Sequence, residues 1–198
     1  MTTMSWRDTR THYGRISRWL HWVTGALLLW QLGGRVAQWL VGAEPWVQVM
    51  NSTHRSLGSA LMVLLMLRAL WGLYNLSRRP RHDAGLMLLA GFSHLLLYAL
   101  MLLVPALGLL MTWASGQAFA PWHVPLFSAG ESHATTAALA AQWHVWLGWS
   151  LVVLVIGHIL MALVWHLLIR RDATLRRMIG PPPQSEAADT ASLKEPRQ

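Results

Sequence analysis

Apolar residues in this chain do not alternate with polar ones; they come in long runs. Four stretches, 19–41, 57–76, 86–113 and 143–169, stay predominantly apolar for 20 residues or more. A helix rising about 1.5 Å per residue needs roughly that length to cross about 30 Å of hydrocarbon. Membrane barrel strands would instead alternate over about ten residues, and these runs do not. The pattern predicts an all-α integral membrane protein, a four-helix bundle over residues 1–178. The connection 42–53 is short, which makes the first two spans antiparallel neighbours. The connection 114–142 is long and carries Pro121, Trp122, His123, Pro125 and His133; loops of that length are functional or disordered. Pro105 falls inside the third span and predicts a kink. Past the prolines at 181–183 the chain turns polar, and 179–198 reads as a disordered tail. No internal repeat is visible.

Charge adds a direction. Arg7, Arg10, Arg15 and Arg18 precede the first span; Arg78, Arg79 and Arg81 lie between the second and third; Arg170, Arg171, Arg176 and Arg177 follow the fourth. The opposite connections hold little: Arg55 ends one, and 114–142 has neither Lys nor Arg. By the positive-inside rule both termini are cytoplasmic. The first span is too long for a signal peptide and lacks a small-residue cleavage site, so it reads as retained. Trp19, Trp22, Trp39, Trp46, Trp113, Trp143 and Trp146 cluster near span ends, where amphipathic rings favour the interface.

Composition narrows the chemistry. Hydrophobic residues make up 54% and charged ones 12%, about half the charged share of a soluble domain, and the mean hydropathy is +0.35. A net charge of +8 suggests nucleic acid, but the arginines sit at span ends rather than on one basic face, so the implied partner is membrane lipid. Cysteine is absent. That excludes disulfides, iron–sulfur clusters, thiolate ligation and covalent haem attachment, leaving histidine or methionine to hold any haem.

Six of the ten histidines lie in or at the edges of the spans: His21, His54, His94, His144, His158 and His166. An ionisable side chain is costly in hydrocarbon, which argues for function. His144 and His158 are 14 residues apart, about 21 Å of helical rise on nearly one face. One helix thus offers ligands at two depths. Counted to the inner arginines, His54 lies 24 residues from Arg78 and His144 lies 26 from Arg170, depths that agree to about 3 Å. For the inner layer, depth alone would pair His158 with His94. A porphyrin beside a helix also needs a small side chain one turn from its ligand. Gly25, Gly58, Gly148 and Ala162 follow His21, His54, His144 and His158 by four; Tyr98 and Arg170 follow His94 and His166. The favoured pairs are His54 with His144 and His21 with His158. Arg68 follows His54 by 14, which carries it to the inner layer, where it could pair with a haem propionate or snorkel to headgroups. His94 and His166 line a quinone pocket or make interhelical hydrogen bonds.

These features resemble the bacterial cytochrome b561 family, a branch that includes the cytochrome b subunits of nickel–iron hydrogenases and formate dehydrogenases. The resemblance covers about residues 12–178. It rests on Trp-Leu-His-Trp at 19–22, His-Arg-Ser-Leu-Gly at 54–58, Ser-His-Leu-Leu-Leu-Tyr at 93–98, Trp-His-x-x-Leu-Gly at 143–148 with His158 following, and Asp-Ala-Thr-Leu-Arg-Arg-Met at 172–178. It implies two b-type haems per chain, an inner one on His21 and His158 and an outer one on His54 and His144. It also implies an inner-membrane location and electron transfer between a periplasmic donor and ubiquinone. One activity known in the family oxidises superoxide and reduces ubiquinone. For that activity the outer surface is close to neutral, with Arg35 and Arg55 against Glu44 and Glu131.

Two functions therefore compete. One is a self-standing superoxide:ubiquinone type oxidoreductase. The other is a membrane anchor fed by a docked periplasmic dehydrogenase or cytochrome. A structural bundle without redox chemistry would leave the register-matched histidines unexplained. An anchor should present an apolar outer patch, and a self-standing enzyme a small polar pocket over the outer haem.

Overall fold

A computed structural model describes residues 5–10, 12–78, 87–170 and 174–179. Arg79, Arg81, Arg171 and residues 180–198 lie outside the described residues, as do the side chains of His166, Arg176 and Arg177. Six helices follow one another: α1 (Arg15–Val41), α2 (Pro45–Ser52), α3 (His54–Tyr74), α4 (Met87–Ala114), α5 (Ala134–Leu160) and α6 (Thr174–Ile179). Wider π-type turns continue α5 over Met161–Ile169. Single 3₁₀ turns sit at Leu76–Arg78 and Pro121–His123. Among the described residues there is no strand, only one isolated bridge between Phe119 and Phe127.

Among the described residues three helical stretches are long and apolar enough to cross a membrane: His54–Tyr74, Gly91–Ala114 and Ala134–Ile169. The long helix α1 is not among them, because Thr24, Gln31, Gln38 and its three arginines dilute its apolar residues. Two further boundaries differ from the sequence pattern. The connection 42–53 is largely helical, with Pro45 at the start of α2, where its missing N–H costs nothing, and Val47 fully buried. Gly34 makes room for it, since a Cβ there would lie 3.0 Å from Met50 Cβ. Helix α5 begins at Ala134 rather than near 143. Its alanine-rich start is helix-favouring but not apolar enough to register as a span.

Helix α4 packs along α5, α1 along α3, and α3 against α4. The core lies midway along the helices. It comprises Leu28 of α1, Leu61 and Leu65 of α3, Leu97, Leu100, Met101 and Val104 of α4, and Leu151 and Val155 of α5. The connections 42–44 and 115–133 lie at one end of the packed helices, called outer, and α6 lies at the opposite end, called inner. Arg18 donates from Nε to the Met178 carbonyl at 2.9 Å and from its terminal nitrogen to that of Ile179, and Trp22 Nε1 donates to Met178 at 3.2 Å. The start of α1 and the described end of the chain therefore lie together at that same end.

Candidate haem sites

On α3, Leu61 and Leu65 lie between His54 and Arg68; on α5, Leu151 and Val155 lie between His144 and His158. The aliphatic core thus separates an outer from an inner layer of polar groups. Ring contacts cross between the helix pairs at both levels. The imidazole centres of His54 and His144 are 6.0 Å apart with planes 87° from parallel. Those of His21 and His158 are 6.4 Å apart at 65°.

The outer pair is held by hydrogen bonds at both partners. His144 Nδ1 lies 2.8 Å from the Val104 carbonyl. A carbonyl only accepts, so Nδ1 carries the proton and Nε2 is left with its lone pair. On the other side, Gln31 Nε2 donates to the His54 backbone carbonyl at 3.0 Å, tying α1 to the first turn of α3. Both rings line one apolar cleft of about 680 Å³, open side included, together with Gly58, Gly108 and Phe119. Gln31 also lines it, and its Oε1 is buried without a partner. The outer connection closes the cleft: Arg55 lies 4.8 Å over the Phe119 ring and reaches Gln117 Oε1 at 3.3 Å.

The inner layer is built differently. His94 stands 5.5 Å from His158, nearer than His21 does, so His158 has two histidine neighbours where the register rule favours one. Arg68 lies 2.9 Å from His21 Nδ1 and 5.6 Å over the Tyr98 ring. A guanidinium only donates. Nδ1 of His21 is therefore the acceptor here, and in a neutral ring the proton sits on Nε2. Thr24, one turn from His21, is buried with its hydroxyl unpartnered.

These residues fit haem. A metal–imidazole bond of about 2 Å on each side, plus about 1 Å from each nitrogen to its ring centre, puts two axial imidazoles roughly 6 Å apart. Both pairs meet that spacing. A Cβ added at Gly25 or Gly148 would meet nothing within 4 Å, and at Gly58 only Gln31 Nε2 at 3.6 Å. Space therefore stands open one turn from three of the four histidines. Among the described residues no three His, Cys, Asp or Glu side chains converge to hold a bare metal ion. A two-ligand site suits a group that brings its own equatorial nitrogens.

Two residues that position the outer pair, Val104 and Gly108, escape a reading confined to ionisable groups. The only signal in sequence is a glycine three residues past the helix proline.

Apolar helices presenting facing histidines across a shared aliphatic core define a membrane cytochrome of the b type. The family model described as prokaryotic cytochrome b561 matches residues 12–181. The chain is 33% identical over 187 residues to cytochrome b561 homolog 2 of Escherichia coli strain K12, a match covering 89% of this chain and 96% of that protein. The chain belongs to the prokaryotic cytochrome b561 family: a haem b electron-transfer protein, multi-pass in the bacterial inner membrane.

Proposed function

We propose that the chain is a di-haem cytochrome that carries electrons from a periplasmic donor across the membrane to ubiquinone. The observation that supports this best is duplication: two imidazole pairs, at 6.0 and 6.4 Å, on opposite sides of one aliphatic core. In this reading α1, α3, α4 and α5 form a four-helix membrane domain over 1–178, with both termini and the polar tail 179–198 in the cytoplasm. Helix α1 joins the bundle through the uncharged stretch between Arg18 and Arg35. His54 and His144 would hold the outer haem and His21 and His158 the inner one, and Arg68 would offer a cation to an inner propionate.

Haem would supply the one-electron chemistry that these side chains lack. The chain's own residues do the rest. With each haem held by two histidines, outer-sphere transfer would be favoured over oxygen binding. The leucine-rich core keeps water from the space between the two layers. The Val104 carbonyl holds the His144 proton on Nδ1. With superoxide as donor the electrons balance: two superoxide anions each lose one electron to give dioxygen, and ubiquinone takes both electrons with two protons to give ubiquinol.

A specific observation favours the second reading, a membrane anchor fed by a docked periplasmic dehydrogenase or cytochrome. The outer connection exposes Trp122 at 58%, Val124 at 57% and Leu126 at 47%. Trp122 and His123 both adopt left-handed backbone, at φ 49° and 66°, a conformation costing about 1–3 kcal/mol for non-glycine residues. The cleft beneath is apolar rather than polar.

Stopped-flow haem reduction by a superoxide flux, with and without superoxide dismutase, separates the two. Dismutase-sensitive reduction of the purified protein is expected for the self-standing enzyme. Its absence would leave the partner-fed anchor.

A further inference from the structure

Gly108 stands on α4 one turn beyond Val104, against the imidazole of His144. A Cβ there would lie 3.1 Å from His144 Cε1 and 3.2 Å from Nδ1, tighter than ordinary van der Waals contact. Gly91, on the same helix, would place its Cβ in open space. A helix carbonyl has two lone pairs and commits one to the intrahelical bond. The second can be reached only where the side chain one turn on does not cover it. At Val104 it is reached, by His144 Nδ1 at 2.8 Å. One turn further, the Gly108 carbonyl accepts from Thr112 Oγ1 at 2.9 Å, so successive carbonyls of this face are committed to defined donors.

We propose that Gly108 is the positioning residue of the outer histidine pair. Its missing side chain lets the His144 imidazole lie against α4 and donate Nδ1–H to Val104, which reserves Nε2 for iron. A carbonyl accepting from the distal nitrogen makes an imidazole a more basic ligand. That favours the oxidised metal and holds the outer potential down. The inference rests on the reading that His54 and His144 hold the outer haem.

The test compares Gly108→Ala with Gly91→Ala by redox titration and low-temperature EPR of both haems in the assembled cytochrome. Gly108→Ala is expected to shift the outer midpoint positive and change the outer low-spin signal, or to expel the outer haem, while the inner haem stays as it was. Gly91→Ala is expected to move neither. An unchanged outer haem in Gly108→Ala, or equal shifts at both haems, would overturn the proposal. If Gly108→Ala fails to assemble, the double variant Gly108→Ala/His144→Ala decides, because it removes the ring that the methyl would strike. It should then keep the inner haem as well as His144→Ala alone does; any further loss overturns the proposal. His144→Ala by itself separates the two levels. If that variant keeps the outer haem, the ligand reading fails. If it loses the outer haem while Gly108→Ala is silent, only the positioning role fails.

Discussion

The outer and inner histidine layers answer the same requirement with opposite second partners. At the outer layer Nδ1 of His144 meets a carbonyl, and at the inner layer Nδ1 of His21 meets a guanidinium. The first contact selects the tautomer with a free Nε2; the second selects the other one. On the proposed ligand set His144 is poised to ligate as it stands, whereas His21 first exchanges its bond to Arg68. The inner layer also carries a third histidine in ring contact and a tyrosine beneath Arg68; the outer layer is enclosed mostly by apolar residues, with Gln31, Arg55, Ser59 and Thr112 among them. Preorganisation is therefore an outer property, and the inner layer keeps more than one arrangement within reach.

The largest effect that could break this contrast is loss of a whole haem. His144→Ala and His54→Ala should each lower the haem content from two per chain to one, with the same haem missing in both variants. Pyridine haemochrome analysis with redox titration checks this. Two haems remaining in either variant would dissolve the outer pair.

Next in size is the charge at the inner layer. Removing a cation near a haem lowers its potential, because the oxidised, more positive state is no longer disfavoured. Arg68→Gln should lower the inner midpoint by several tens of millivolts, the scale of a partly screened unit charge, and leave the outer one in place. Equal shifts at both haems would mean that Arg68 acts on the bundle as a whole.

Much of this arrangement is legible in the sequence, and the part that is not has a physical reason. Interval carries far along a regular helix. The 14-residue step from His144 to His158, and that from His54 to Arg68, place groups in layers because helical rise is constant. Depth also ranks His94 beside His158, as the ring contact bears out. Contacts made by backbone leave no such trace. Val104 participates through its carbonyl, which every residue has, and Gly108 through an atom it lacks. Helix α2 is missed because eight residues hold too little apolar periodicity. The early start of α5 is missed because alanine favours a helix without favouring a membrane. The polar face of α1 hides for the converse reason: its groups turn into the protein, where Thr24 and Gln31 are buried and Gln31 meets the His54 carbonyl.

A smaller effect should separate the layers by stability. Gly116 adopts φ +69°, and a Cβ there would lie 2.6 Å from the Gly130 carbonyl oxygen. Gly116→Ala should therefore loosen the outer connection at a cost of about 1–3 kcal/mol. The connection closes only the outer cleft, through Arg55 and Phe119. On heating, the outer haem band should thus be lost earlier than in the unmodified protein, while the inner band keeps its midpoint. Parallel loss of both bands would show that the connection stabilises the entire bundle.

The smallest effect is expected at His94, and it tests the inner layer at its most ambiguous point. His94 is the nearer neighbour of His158, at 5.5 Å against 6.4 Å for His21, and distance alone leaves both as candidates. The residue one turn past each histidine argues for His21. Tyr98 comes after His94 and already sits beneath the Arg68 guanidinium, whereas Gly25 comes after His21 and opens onto space. A flat macrocycle needs that space along the helix more than it needs a few tenths of an ångström between rings, since side chains adjust and a tyrosine beside the ligand cannot vanish. His94→Ala should accordingly keep both haems and both EPR signals, and slow ubiquinone reduction by no more than a few fold, the scale of one lost hydrogen bond of about 1 kcal/mol. His21→Ala should lose the inner haem. The reverse outcome, inner haem lost in His94→Ala and kept in His21→Ala, would move the inner ligand from α1 to α4 and leave α1 as a packing helix.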